Sequence, residues 1–313
     1  MNIFSSHKKS TSRSKVAIIG AGAVGSTVAY TATIKNIAAE IVLIDKDTPK
    51  EEGNVMDIDD GLCFVETGCI KGADMRAASD ADVIVITAGA AQKPGETRLD
   101  LVQKNTAIFK SIFKSIGKIK KSAIIIVVSN PVDVLTHVAQ QASGLPVNQV
   151  FGTGTALDTS RLKTQLGHAF GINTKNIHGY VMGEHGDSEF VAWSTVSIGG
   201  VPINKIPGFT TTVAKDIEES VRREAYEIIN KKGATYFGIA QVVTNILKAI
   251  IFDQHIIVPV STCVQKYHGV SGVCIGVPAV IGQYGVEKIW TTELSAVEKK
   301  KFQKSAEVIR SYL

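Results

Sequence analysis

Gly20, Gly22 and Gly25 hold the three glycine positions of GAGAVG, directly after the apolar run KVAIIG. Glycines so spaced permit a tight turn, let the backbone approach a pyrophosphate and allow a helix to pack closely on a sheet. The N–H groups opening the next helix, at Ala23 and Val24, then face the anion. Alone these glycines could form no more than a turn, but a strand pattern precedes them and a helical pattern follows over residues 24–35. Asp45 closes the next apolar run, EIVLID, where a carboxylate can accept from ribose hydroxyls. A 2′-phosphate would meet that negative charge, and no arginine follows in IDKDTPK to offset it, although Lys46 does. The pattern therefore points to NAD over NADP. Asp158 and Arg161 form a second constellation, three residues apart in the helical stretch ALDTSRLKTQLGHAFG. That spacing sets both side chains on one face, either as an ordinary intrahelical ion pair or directed together into a cleft. Asn130 ends the run AIIIVVSN just before Pro131. Its amide could reach a substrate or a nicotinamide, or simply terminate the strand.

These groups need a scaffold, and the chain supplies a repeating one. From Lys15 an apolar strand, a polar or glycine turn and a helical stretch alternate, with strands expected over residues 15–20, 40–45, 82–89 and 123–130. This is the pattern of βαβ units around a parallel sheet buried on both faces. After a short strand in QVFGTG the alternation fades, so a boundary is expected near Val150. The expected fold is α/β: a Rossmann-type doubly wound parallel sheet over residues 15–150, followed by a mixed α+β substrate and catalytic domain over 151–313. Residues 1–14, polar and basic, read as a flexible N-terminal arm. In the second half, residues 213–232 and 234–251 have helical periodicity on either side of Gly233. A closing amphipathic helix is expected over 293–313, started by Ser295 and Glu298 in capping-box spacing, with Leu294, Val297, Phe302, Ile309 and Leu313 on its apolar stripe.

Bulk properties narrow the classes further. With 313 residues, 44% of them hydrophobic and 20% charged, the chain can bury a sizeable core. The net charge of +5 is spread along the chain with no basic motif interleaved with aromatics, which argues against a nucleic-acid surface. Its most apolar run is interrupted by Asn130, Pro131 and Asp133 well short of bilayer-spanning length. Cys63, Cys69, Cys263 and Cys274 show neither a CxxC pair nor zinc spacing, and no secretory h-region precedes them. They are expected to be reduced thiols in a cytoplasmic protein, with no metal site.

The segments AGAAQKPGETRLDLVQKN, VVSNPVDVLT, GTGTALDTSRL and GEHGDSE, in this order, give the chain a close resemblance to the L-lactate dehydrogenases, the bacterial ones in particular. Malate dehydrogenases of the same superfamily share much of it. The resemblance implies reversible hydride transfer between NADH and pyruvate, giving L-lactate and NAD+ in glycolysis and fermentation. It casts His185 as the proton donor and acceptor, Asp158 as the group that orients it, and Arg161 as the bidentate grip on the substrate carboxylate. Arg98, on a loop able to close over the ligand, is implied to polarise the ketone, and Thr235 to stand beside the methyl group. Among seven histidines the motif singles out only His185 as a catalyst.

Gln92 decides between the two substrates, because malate dehydrogenases carry an arginine at the matching position for the second carboxylate of oxaloacetate. A neutral glutamine leaves that charge unpaired in a closed pocket, which favours pyruvate. The other readings are a malate or other 2-hydroxy-acid dehydrogenase on the same fold, and a catalytically silent NAD-binding protein. The resemblance further implies a homotetramer and, in many bacterial members, activation by fructose 1,6-bisphosphate. His178 matches that site's histidine, whereas Lys163 stands where an arginine is usual, keeping the charge and losing the planar fork.

Overall fold

The computed structural model describes residues 14–66, 68–91, 95 and 97–313. Gln92 and all of the expected N-terminal arm except Ser14 lie outside the described residues. The apolar runs become strands because their β-branched residues alternate between two covered faces. In β1 (Lys15–Ile19), Val16 and Ile18 join one core, while Ala17 and Ile19 join another on the opposite side of the sheet. The first half continues through α1 (Ala23–Ile34), β2 (Glu40–Ile44), α2 (Thr48–Asp59), β3 (Cys69–Gly72), β4 (Val83–Ile86), α3 (Arg98–Ile116), β5 (Ile124–Val127), α4 (Val132–Ser143) and β6 (Val150–Gly152). These strands are all parallel, in the spatial order β3-β2-β1-β4-β5-β6. That is the doubly wound dinucleotide-binding order, with its crevice where the order reverses beside β1.

The second half begins with α5 (Ala156–Phe170). Five short strands follow: β7 (Ile177–His178), β8 (Val181–Met182), β9 (Phe190–Val191), β10 (Ser197–Ile198) and β11 (Val201–Pro202). The chain then forms α6 (Thr211–Lys232), α7 (Phe237–Ile251), β12 (Ile256–Cys263), β13 (Cys274–Gly282), β14 (Gly285–Ile289) and α8 (Ala296–Arg310). β12 adds antiparallel to β6, and β13 and β14 extend the same sheet to nine strands. One sheet therefore runs through both halves. α7, from the second half, lays Val243, Ile246, Leu247 and Ile250 into the core that also holds Val28, Ala29 and Ala32 of α1. α4 approaches β6 so closely that a side chain on Gly152 would come within 2.4 Å of the Thr136 hydroxyl.

Several expectations need correction. Residues 234–236 are not helical: Gly233 ends α6 in the left-handed region, with φ of 85°, and α7 starts only at Phe237. In α8 the capping box of Ser295 and Glu298 forms, but Val297 is 65% exposed and Leu313 is 52% exposed. Leu294 precedes the helix, so counting the stripe from it put Val297 on the wrong face. The buried face runs through Glu298, Phe302, Ser305, Ala306 and Ile309. Cys263 and Cys274 are not free thiols; they form a disulfide, while Cys63 and Cys69 are free and exposed. Eleven residues apart, they give no local spacing signal, and only the β12–β13 register sets them opposite one another. No helix among the described residues is long and apolar enough to cross a membrane.

Candidate active site

At the head of β1 the glycines have distinct reasons to be there. Gly20 has a φ of 111°, and a side chain on it would strike Ala88 and Thr87. A side chain on Gly25 would lie 1.7 Å from the Gly20 carbonyl oxygen, so α1 can pack against the turn only with glycine there. Gly22 is different, since a side chain built on it meets no atom within 4 Å. It is the N-cap of α1, and no side chain satisfies the N–H groups behind it, at Ala23, Val24 and Gly25. An open approach to uncapped helix N–H groups is what an anionic pyrophosphate requires. Asp45, just beyond β2, accepts from the Ala21 N–H at 2.6 Å, which fixes its carboxylate against the same turn. Buried Glu51 in turn accepts from the Asp45 N–H at 2.8 Å.

In the second half of the site, segments distant in sequence converge on His185. Asp158 and Arg161 share one face of α5, and Arg161 Nη1 donates to Asp158 Oδ1 at 2.7 Å. The other Asp158 oxygen is 2.7 Å from His185 Nδ1. The His185 ring remains a quarter exposed, while Asp158 and Arg161 are buried. Burial alone would push the imidazole down. The charge and hydrogen bond of Asp158, assisted by Glu189 and Asp133, override it and push His185 up to about 9. Burial likewise opposes ionisation of Asp158, but His185 and Arg161 hold its carboxyl below the usual range.

Two acids that the sequence reading did not assign complete this cluster. Asp133, near the start of α4, accepts from the His185 backbone N–H at 2.8 Å and from the Ser261 hydroxyl at 2.5 Å. Its burial pushes it up to about 6. Glu189 has an oxygen within 4.8 Å of ligand atoms on both Asp158 and His185. Burial, and then the Asp158 charge, raise it well above the ordinary carboxyl range. Asp133 and Glu189 lie within quoted motifs, NPVD and GEHGDSE, but only the tertiary contacts give them work.

Arg98 is the first residue of α3 rather than part of a loop, behind a capping box of Thr97 and Asp100. Its guanidinium is ion-paired with buried Glu184 beside His185, and it lies 5.4 Å from the Tyr312 ring centre. The exposed Asn130 sits at the head of the crevice. Fully buried Asn105 donates to the Asn130 carbonyl at 2.7 Å and accepts from the Ala90 N–H at 2.7 Å, tying the two strand-end loops together. Thr235 is half-buried in the turn between α6 and α7. Lys163 on α5 is half-buried, and that burial lowers its ammonium, whereas His178 on β7 is exposed.

A glycine turn at the head of β1, together with a histidine, aspartate and arginine cluster in the same chain, suits a nucleotide cofactor and a small anionic substrate. The NAD binding domain of lactate/malate dehydrogenases matches residues 14–152, and the alpha/beta C-terminal domain of the same enzymes matches residues 155–313. The chain belongs to the lactate/malate dehydrogenase family. Among its family relatives, the L-lactate dehydrogenase of Clostridium botulinum (strain 657 / Type Ba4) is 45% identical over 310 residues, covering 97% of this chain and 98% of that protein. The L-lactate dehydrogenase of Thermoanaerobacter sp. (strain X514) is 45% identical over 304 residues, covering 96% and 98%. Two solved members of the family share the fold. The minor L-lactate dehydrogenase from Enterococcus mundtii in a ligand-bound form superposes with a TM-score of 0.93 at 36% identity, covering 96% of this chain and 97% of that one. MGS-M5, a lactate dehydrogenase from a Medee basin deep-sea metagenome library, gives 0.92 at 39%, covering 96% and 98%. As in the family, the cofactor is NAD.

Proposed function

We propose that this dehydrogenase is an NAD-dependent L-lactate dehydrogenase, interconverting pyruvate and L-lactate. The observation that carries the reading is the linked Arg161–Asp158–His185 row, with both carboxylate oxygens of Asp158 engaged. Gly20, Gly22, Ala23, Val24, Gly25, Asp45 and Asn130 would hold NADH, which would supply the hydride for C2 of the ketone. The chain's own residues do the rest. Arg161 holds the substrate carboxylate with the part of its fork not given to Asp158. Nδ1 of His185 is committed to Asp158, so Nε2 faces the ketone oxygen and donates the proton that the nascent alkoxide needs. Arg98 stabilises the developing charge on that oxygen, and for this it must exchange Glu184 for substrate. Gln92 and Thr235 receive the methyl group, and a neutral Gln92 offers nothing to a second carboxylate. Turnover of pyruvate against oxaloacetate with NADH tests the assignment; a preference for oxaloacetate would overturn it in favour of a malate dehydrogenase.

The proton chemistry sets a pH dependence. Pyruvate reduction needs His185 protonated, so it persists below about 9 and is lost as pH rises through that value, while lactate oxidation gains over the same interval. Asp158→Asn removes the main raising interaction, and the alkaline limb of kcat/KM for pyruvate is expected to move down towards the ordinary histidine range. An unmoved limb would mean that another group supplies the proton. Arg161→Lys replaces a planar fork with a point charge and is expected to raise the pyruvate KM by about tenfold or more, with NADH affinity little changed. An unchanged KM would show that a different residue holds the carboxylate.

The same reading places the enzyme in the cytoplasm as a homotetramer. Lys163 and His178 are the residues that would meet fructose 1,6-bisphosphate between subunits, with activation weakened or absent for want of the guanidinium. Light scattering, and pyruvate turnover with and without the bisphosphate, address the two points separately.

A further inference from the structure

Asp133 and His137 lie four residues apart on one face of α4, and Ser261 and Cys263 lie two apart on one face of β12. These two rows meet. Asp133 takes the Ser261 hydroxyl, and one step further on, a ring nitrogen of His137 and the sulfurs of Cys263 and Cys274 all lie within 4.8 Å of one another. The cysteines face each other across β12 and β13 in the register pair Cys263↔Cys274. The next pair, Val264 and Val273, carries a ladder hydrogen bond, so the cysteines occupy a non-hydrogen-bonded position, where opposed side chains stand closest.

Two further observations point to a ligand. His137 Nε2 is engaged by Gln141 at 2.9 Å, but its Nδ1 is buried with no hydrogen-bond partner among the described residues. Oε1 of Gln140 lies 3.2 Å from Cys263 Sγ. Two sulfurs, an imidazole nitrogen and an amide oxygen form a compact set of the kind that borderline-soft divalent cations take in tetrahedral geometry.

We propose that the reduced Cys263 and Cys274, with His137, form a binding site for a thiophilic divalent cation such as Zn2+, one helical turn behind Asp133. The disulfide and the metal-bound state exclude each other, because the sulfurs ligate as thiolates. Reduction by a dithiol breaks the S–S bond, delivering two electrons and two protons to the sulfurs while the reductant becomes a disulfide. Each thiol then releases its proton as the cation binds. Half-buried Cys263 gives the reductant its point of attack, while Cys274 is fully buried. Cys63 and Cys69 are exposed and take no part.

The test uses the full chain carrying Cys63→Ser and Cys69→Ser, reduced with a dithiol, freed of it, and titrated with Co2+ and then Zn2+. The expected result is one Co2+ per chain, with a thiolate-to-metal charge-transfer absorption that Zn2+ abolishes. The disulfide form should bind none. Cys263→Ser and His137→Gln are each expected to weaken binding by about tenfold or more. NADH affinity, which depends on the distant glycine turn, checks that each variant is folded. Absence of the charge-transfer band in the reduced protein would overturn the proposal. So would unchanged affinity in folded His137→Gln or folded Cys263→Ser.

Discussion

His185→Asn is expected to cut pyruvate reduction by about a thousandfold while leaving NADH affinity within a few-fold of the parent. Asparagine can still donate to Asp158, and the backbone N–H that Asp133 accepts is untouched, so the cluster keeps its shape. What disappears is an imidazole, able to exchange a proton near neutral pH and, unlike the buried Asp158 and Arg161 beside it, a quarter exposed. The glycine turn follows β1 and Asp45 follows β2, and neither shares a hydrogen bond with His185. NADH fluorescence titration and steady-state turnover separate the two properties, and turnover within a few-fold of the parent would remove His185 from the mechanism.

Gln92→Arg is expected to reverse substrate preference, by on the order of a hundredfold in the ratio of kcat/KM for pyruvate over oxaloacetate. Arg161 is already present for the carboxylate that both substrates carry, and it sits buried against Asp158. A second guanidinium would then be paired by oxaloacetate and left unpaired by pyruvate in a closing pocket, which penalises one and rewards the other. About 3 kcal/mol between the two cases gives the hundredfold. A ratio unchanged from the parent would show that Gln92 does not meet the substrate side chain.

The parallel half was legible because most of its strands are uninterrupted apolar runs, and each expected strand has its counterpart, at β1, β2, β4, β5 and β6. β3 was not, since CIKG buries only Ile70 and carries no apolar run. No strand was expected over β12 or β13; both are apolar, but each contains a proline, a residue that disfavours a strand interior. In the structure Pro259 and Pro278 face each other, a placement that asks neither for an N–H at a non-hydrogen-bonded position. At the candidate site, the motifs singled out Asp158, Arg161 and His185, and the structure brings the three side chains together. Asp133, Glu184, Asn105 and Ser261 were not, since their partners lie 52, 86, 25 and 128 residues away. Hydrogen bonds across such separations leave no periodicity in a sequence.

The shared nine-stranded sheet makes the cofactor half a poor candidate for life as a fragment. Cut after Gly152, it would lose β12 and present β6 as an open edge, a template for pairing with other chains. α1 would lose α7, whose Val243, Ile246, Leu247 and Ile250 share its core, and apolar surface would face water. Asp133 would be left without either of the donors that now satisfy it. Nucleotide recognition in this protein is thus sequestered in residues that cannot be harvested apart from the half that holds the substrate.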